Sequence, residues 1–321
     1  MNKEIGGYIE FERYDGKHYH DNAIKLNCGR NCLAYLIKLY NIKHIFIPYF
    51  LCDSVSEVCG KYGVQVSFYH IDEKLLPVLS NIDLSNDWLY VVNYYGQLTN
   101  QQIVDYAAKY RNLIVDNVQA FFQNPVEHMP TIYTCRKFFG VTDGAYLYSD
   151  KKLKEELETD SSYNRMNFLF GRFEKTASEF YSQYTANNKL FKNESIKLMS
   201  PITENLMRSF EYEQIKNVRT ENFEYLHKQF AEINKLELTV PQGAFAYPLY
   251  IENGAEIRKE LQKDKIYIPT LWPFVFDICK ENDLEYKLAH NILPIPVDQR
   301  YGVEEMGVIF RKIQEIIRGN R

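Results

Sequence analysis

The chain has 321 residues, a formal net charge of −4, 25% charged residues and 45% hydrophobic ones. That length leaves room for two folding units and a sizeable core, and the balance is that of a globular protein. The mild negative charge offers no electrostatic footprint for nucleic acid, no run approaches the roughly 18 apolar residues of a membrane helix, and none of the six cysteines forms the C-x-x-C pair of a zinc site, so no metal is expected.

Residues 1–25 read as an extended lead-in with a turn at Asp15-Gly16. The opening MNKEIGGYIEFE contains no apolar signal-peptide core, so a cytoplasmic protein with reduced thiols is expected. At Leu26 the pattern changes. Cys28-Gly29-Arg30-Asn31 opens a helix-like run through Ile37, and free N–H groups at a helix start suit a phosphate as well as an ordinary cap. His44 to Pro48 reads as a buried strand, Cys52 to Tyr62 as a helix ending at Gly63, and Val64 to Tyr69 as an alternating strand running into Ile71-Asp72. Trp88 to Asn93 is the next strand and opens into Tyr94-Tyr95-Gly96-Gln97. A helix over 99–110 puts Ile103, Tyr106, Ala107 and Tyr110 on one face.

The stretch over 111–149 carries the chemistry. Leu113-Ile114-Val115 stops on Asp116, with Gln119 three residues on; Thr131 to Thr134 leads to Arg136-Lys137; the turn Gly140 to Gly144 precedes a further run, Ala145 to Tyr148. Strands alternating with helices at this spacing predict an α/β fold around a mostly parallel sheet. In such folds a carboxylate at the carboxyl end of a strand is a ligand-binding position. A lysine at the next strand's exit shares that crevice, and the pair suggests pyridoxal 5′-phosphate (PLP), which takes a lysine amine and an acid on its pyridine nitrogen. Taken singly, Lys137 reads as a solvated surface residue and Asp116 as a turn residue.

After Asp150 the chain is charged and helix-rich as far as 234, with Ile202, Leu206, Phe210, Ile215 and Val218 at roughly helical spacing; residues 203–234 read as one long helix, broken or continuous. Pro241-Gln242-Gly243 marks a boundary near 236. Beyond it Phe245 to Ile251 and Lys265 to Ile268 read as strands flanking a helix over 255–263, and Met306, Ile309, Ile313 and Ile317 as the stripe of a last helix. The expected organisation is a large domain over 1–235 and a small α+β domain over 236–321.

Asp116-Asn117-Val118-Gln119, Lys137 six residues before Asp143-Gly144, and Gly29-Arg30 before a helix together resemble the DegT/DnrJ/EryC1/StrS family of PLP-dependent sugar aminotransferases, over residues 20–150 and in outline over 236–321. The resemblance implies an aspartate-aminotransferase-like (type I) fold and a homodimer with sites at the subunit interface. It makes Lys137 the Schiff-base lysine, Asp116 the partner of the pyridine nitrogen, and Gly29, Arg30 and Asn31 the phosphate loop, with Cys28 standing for the usual serine. Gln119, Thr134 and Cys52 become cofactor contacts, Cys52 at the position of a stacking aromatic, so that either Tyr49 or Phe50 substitutes or the ring packs on a smaller group. Tyr163-Asn164-Arg165-Met166 resembles an Asn-x-Arg segment that reaches a partner's cofactor phosphate, and Tyr95 and Asn164 are the candidate substrate contacts. The implied reaction moves an amino group from an amino acid, glutamate being the expected donor, to a nucleotide-linked keto-sugar in surface-polysaccharide or deoxyamino-sugar biosynthesis. A PLP lyase or dehydratase on the same fold, or a non-enzymatic binding relic, are the alternatives; Lys137 speaks against the dehydratase branch, which carries His there.

Overall fold

A mixed eight-stranded sheet runs through the large part of the computed structural model, which describes residues 5–80, 82–84 and 87–319. Its strands are β1 (Ile24–Leu26), β2 (His44–Pro48), β3 (Gln65–Ile71), β4 (Pro77–Val78), β5 (Trp88–Val92), β6 (Leu113–Asp116), β7 (Thr131–Thr134) and β8 (Ala145–Tyr148), in the order β1-β8-β7-β6-β5-β2-β3-β4. The strands from β7 to β3 in that order run parallel, while β8 is antiparallel to β7, β1 to β8 and β4 to β3. The crossovers are α1 (Gly29–Tyr40), α2 (Asp53–Lys61) and α3 (Asn100–Lys109). Strands buried on both faces read as continuous apolar runs, and β5 and β6 do so.

Local chemistry sets the helix ends. Helix α1 stops at Asn41 in the left-handed conformation, and α3 starts on a capping box between Thr99 and Gln102. The segment after β8 supplies α4 (Asn167–Glu174), α5 (Tyr181–Leu190), α6 (Pro201–Met207) and α7 (Tyr212–Phe230). The helical spacing over 203–234 is thus divided at 208–211. Ser200 caps α6, and Pro201 takes the first helical position, where its missing N–H costs nothing.

The remainder comprises β9 (Ala246–Tyr250), α8 (Gly254–Lys263), α9 (Val275–Ile278), α10 (Leu284–Asn291), β10 (Ile292–Pro296) and α11 (Val303–Gly319). Strands β9 and β10 form a separate antiparallel pair. The segment Lys265 to Ile268, expected as a strand, is not one: it follows α8 as irregular chain, with Lys265 at φ 60, and β9 pairs with Ile292–Pro296 instead. A second apolar core joins this sheet to α8, α11 and the Phe223, Leu226 and Phe230 side chains of α7, so α7 runs from the large unit into the small one. Among the described residues no helix is long and apolar enough to cross a membrane, and no group of three or more His, Cys, Asp or Glu side chains could hold a metal ion. All six cysteines are free thiols.

Candidate active site

Strand addition reverses direction between β2 and β5, and open α/β sheets bind ligands outside the carboxyl ends of the strands near that switch. Asp116 ends β6 there and is buried. Its Oδ2 accepts a hydrogen bond from the Tyr90 hydroxyl at 2.8 Å, and its Oδ1 accepts one from the Val118 N–H at 3.0 Å. Tyr90 lies on β5 two residues before Val92, the register partner of Asp116. Strand alternation therefore turns both side chains to one face of the sheet.

Lys137 comes three residues after β7. Burial pushes the Asp116 carboxyl up, and the Lys137 ammonium is the largest influence pulling it back. Burial pushes the Lys137 amine down, and Asp116 is the largest influence raising it. Each group thus feels the other's charge. The Lys137 side chain is open to solvent by accessible surface, yet protein surrounds its amine closely enough for desolvation to dominate. The amine lies 5.5 Å from the centre of the Phe245 ring. Phe245 precedes β9 and gave no sequence signal as a site residue.

Gln119 is 1% exposed. Its Oε1 accepts the Tyr95 N–H at 2.8 Å, while its Nε2 is buried without a partner. Leaving a buried donor unpaired costs about 1–3 kcal/mol, so a ligand acceptor is the natural complement of this amide.

The other side of the site is built around Phe191, a buried ring just after α5. The Arg136 guanidinium carbon lies 4.7 Å from its centre and that of Arg165 5.5 Å. Arg136 donates to Asn188 Oδ1. Arg165 donates through Nη2 to Asp160 Oδ2 at 2.9 Å and to the Ser161 carbonyl at 3.0 Å. Its Nε and Nη1, and Nε of Arg30, are buried without partners. Arg30 enters from the first turn of α1. Burial pushes the Cys28 thiol up to about 11, and Arg136 and Arg30 are the charges that pull it back.

Two further contacts fix the lysine loop. Asp143 is fully buried and accepts from the Ser200 N–H at 2.8 Å, the Ser200 hydroxyl at 2.7 Å and the Thr203 hydroxyl, so it anchors this turn to the start of α6. Gly144 has φ +108, and a Cβ there would come within 2.9 Å of Cys135 Sγ, so glycine is required. Arg219 of α7, 1% exposed, spans the gap between the two units. It donates to the Phe138 carbonyl at 3.0 Å, the Ala244 carbonyl at 2.9 Å and Gln299 Oε1 at 2.8 Å. Gln299 donates to the same Phe138 carbonyl at 2.8 Å.

The structure brings Lys137, Asp116, Gln119, Cys52, Gly29 and Arg30 to one end of the sheet. Cys52 is the N-cap of α2, half-buried, with its sulfur 2.8 Å from the Ser54 hydroxyl, and its thiol acts electrostatically on Lys137. Neither neighbouring aromatic is free to replace a stacking ring there. Tyr49 stacks on Phe68 and His70, and Phe50 is buried against Tyr94 and Trp272. Gly29 opens α1, and a Cβ there would meet only Val118 and Ile132 at 3.8 and 4.0 Å. Packing does not demand glycine at 29; a bare Cα leaves the approach to the helix start open. Thr134 closes β7 opposite Ala145 and is half-buried.

Three expected contacts sit differently. The Asn31 amide donates to Asn27 at 2.8 Å and to the Ser195 carbonyl at 2.6 Å, and its N–H bonds to Cys28 at 3.1 Å, so it holds the loop rather than facing the cleft. Tyr95, at φ 53 and 1% exposed, packs its ring towards Trp272 and belongs to the joint between the units rather than to an open substrate surface. Asn164 is exposed on a short 3₁₀ turn, while its neighbour Arg165 points inward. Tyr90, Arg136 and Phe245 were not picked out as site residues by their sequence context, and Arg165 was named only within the segment that resembles Asn-x-Arg.

No sequence-family model and no curated protein matches the chain. Solved structures do. A DegT DnrJ EryC1 StrS aminotransferase from Brucella abortus is 12% identical, with 92% of this chain and 85% of that one covered at a TM-score of 0.62. The chain has the fold of these aminotransferases. The sugar aminotransferase CalS13 from Micromonospora echinospora is 12% identical over 92% of this chain and 87% of its own, at a TM-score of 0.63. NtdA from Bacillus subtilis, solved with bound cofactor PMP, is 13% identical over 92% of this chain and 73% of its own, also at 0.63.

Proposed function

We propose that the protein is a PLP-dependent aminotransferase that transfers an amino group from an amino acid, glutamate being the favoured donor, to a nucleotide-linked keto-sugar. The observation that carries this reading is Lys137, solvent-accessible and electrostatically paired with the buried Asp116 at the carboxyl ends of the strands. The residues fit the cofactor. Gln119 Nε2 is a buried donor in want of an acceptor, and the bare Gly29 leaves the start of α1 open to a phosphate. The family motifs and the sugar aminotransferases that share this fold support the same choice.

Bound here, PLP supplies an electron sink for the donor's α-carbon. Lys137 would hold the cofactor and serve as the base that moves the proton at that carbon, burial lowering its amine from the ordinary lysine value. Asp116 would hold a proton on the ring nitrogen through a charge-assisted hydrogen bond, with Tyr90 fixing the carboxylate's orientation. Gln119 would offer its unpaired Nε2 to the bound group.

The working unit of this proposal is a homodimer. Supporting it, Phe170, Phe173, Tyr181 and Tyr184 of α4 and α5 are 57%, 93%, 65% and 46% exposed, an apolar face that a second copy would cover. The deciding experiment is the absorption spectrum of purified protein with PLP, followed by borohydride reduction and mapping of the labelled lysine. The expected result is label on Lys137 and none in Lys137→Ala, together with 2-oxoglutarate formation from glutamate and a keto-sugar acceptor. Label on another lysine would overturn the assignment, and turnover without 2-oxoglutarate formation would favour a lyase.

A further inference from the structure

Resting on the reading above, we propose that Phe245 is a positioning residue for Lys137. The face of its ring holds the lysine's free ammonium, and Arg219 with Gln299 sets ring and lysine in register across the two units.

The lysine needs such a hold. Its side chain is open to solvent, and its four rotatable bonds leave it many rotamers of similar energy. Among the described residues its amine makes no hydrogen bond or salt bridge; the contact it does make is with the Phe245 ring, whose centre lies 5.5 Å away. An ammonium within about 6 Å of a ring centre is attracted to the ring's negative face. The groups whose charge acts on the amine are Asp116 at the end of β6, Cys52 at the start of α2, and Arg136 beside it in the chain. A ring also suits a lysine that has to act as a base. A carboxylate bonded to the ammonium would help keep the proton on it. A ring face attracts the cation without accepting its proton, so the amine is placed but not locked.

What fixes the ring is a second and independent set of contacts. Phe245 packs on Phe138, the residue after Lys137, with ring centres 6.0 Å apart. Arg219 of α7 lies with its guanidinium carbon 4.7 Å from the centre of the same Phe138 ring. Its Nη2 donates to the carbonyl of Phe138, one residue past the lysine, and its Nη1 to the carbonyl of Ala244, one residue before Phe245. Gln299 accepts from its Nε and donates to the Phe138 carbonyl in turn. Arg219 is buried, and among the described residues it bonds to no carboxylate. Burial lowers it to about 10, with the charge of Asp298 the largest influence opposing that. A buried cation without a bonded counter-ion is costly to keep. Two of its three bonds go to the residues flanking the lysine and the ring, and the third goes to the glutamine that doubles one of them.

The test is competitive labelling of the cofactor-free full chain with acetic anhydride, read at Lys137 by peptide mass spectrometry across a range of pH. Only the neutral amine reacts, so the profile is the titration of Lys137 itself. Phe245→Leu keeps an apolar side chain and loses the ring face, and Lys137 should then titrate about half a unit lower. Phe245→Tyr keeps the face and should restore the wild-type profile. A Leu variant that titrates at or above the wild-type value would overturn the proposal, since burial alone would then account for the amine.

Gln299→Leu and Arg219→Lys leave the Phe245 ring in place and loosen its register with the lysine. Each should lower the Lys137 value by less than Phe245→Leu does, and Gln299→Leu serves if the Arg219 variant does not fold. No shift in either would overturn the part given to Arg219 and Gln299. Borohydride reduction of wild-type protein with PLP separates this proposal from the reading it rests on. PLP fixed to another lysine, with the Phe245→Leu shift present, would overturn the aminotransferase assignment and support the ring–lysine pair. PLP fixed to Lys137, with no such shift, would do the reverse.

Discussion

The two sides of the candidate site are made of different material. Asp116 and Tyr90 stand on neighbouring parallel strands, and Gln119 follows in the next turn; register alone puts the first two in contact. Arg30, Arg136 and Arg165 come from a helix start, a strand exit and a 3₁₀ turn, and meet only because Phe191 lies between two of them. The strand side is rigid and close to self-satisfied, with Asp116 already holding two hydrogen bonds. The arginine side is left short of partners. A sheet can pre-organise a charge before any ligand arrives, whereas loop-borne cations wait for the ligand to complete them.

Asp116→Asn should break the strand side alone. Removing one partner of a buried ion pair costs about 3–5 kcal/mol, so turnover should fall on the order of 10²–10⁴-fold while phosphate affinity of the cofactor-free protein holds. Steady-state rates beside phosphate titration would check it, and near-wild-type turnover would rule out Asp116 as the ring's counter-charge. Tyr90→Phe sharpens the point. Its hydroxyl favours the ionised carboxylate, so its loss should move the acidic limb of the pH–rate profile upward and lower turnover by about tenfold. An unmoved acidic limb would leave Tyr90 a packing residue.

The smallest effect on activity, and a separate one on stability, should come from the lead-in. His18 and His20 are buried, bonded to Tyr146 and to Tyr148 and the Phe121 carbonyl, and burial lowers both to about 4. A folded-state value below the unfolded 6.5 means that the folded form binds fewer protons. The stabilisation is fully present above pH 6.5 and is lost as pH falls from there towards 4. Melting temperature against pH should show this decline, and replacing both histidines by Asn should flatten it; an unchanged slope would put the acid sensitivity elsewhere.

The sequence made the strand side legible because alternation and strand ends are local properties. Leu113 to Asp116, Thr131 to Thr134 and Ala145 to Tyr148 all lie where the apolar runs placed them. Strand β1 was hidden inside the extended lead-in, since its partner, residues 145–147, lies over a hundred positions away. Strand β10 was hidden by Pro294 and Pro296, which read as breakers but are tolerated in a two-stranded pair with a free edge. Lys265 to Ile268 had strand-like side chains and no neighbour to pair with. The arginine cluster could not be read at all, because nothing in Tyr163 to Arg165 says which way the turn will face.

The contacts of Arg219 bear on how the molecule can move. One guanidinium holds the peptide after Lys137 and the peptide before Phe245, and Gln299, just beyond β10, holds the first of these again. The lysine loop and the entry to β9 are therefore yoked. A rotation of the small unit about α7 must either carry the lysine's backbone along or break three hydrogen bonds, the two to backbone carbonyls being buried. Opening and closing of the cleft would then be geared to the lysine itself, and the Phe245 ring would travel with its amine rather than past it.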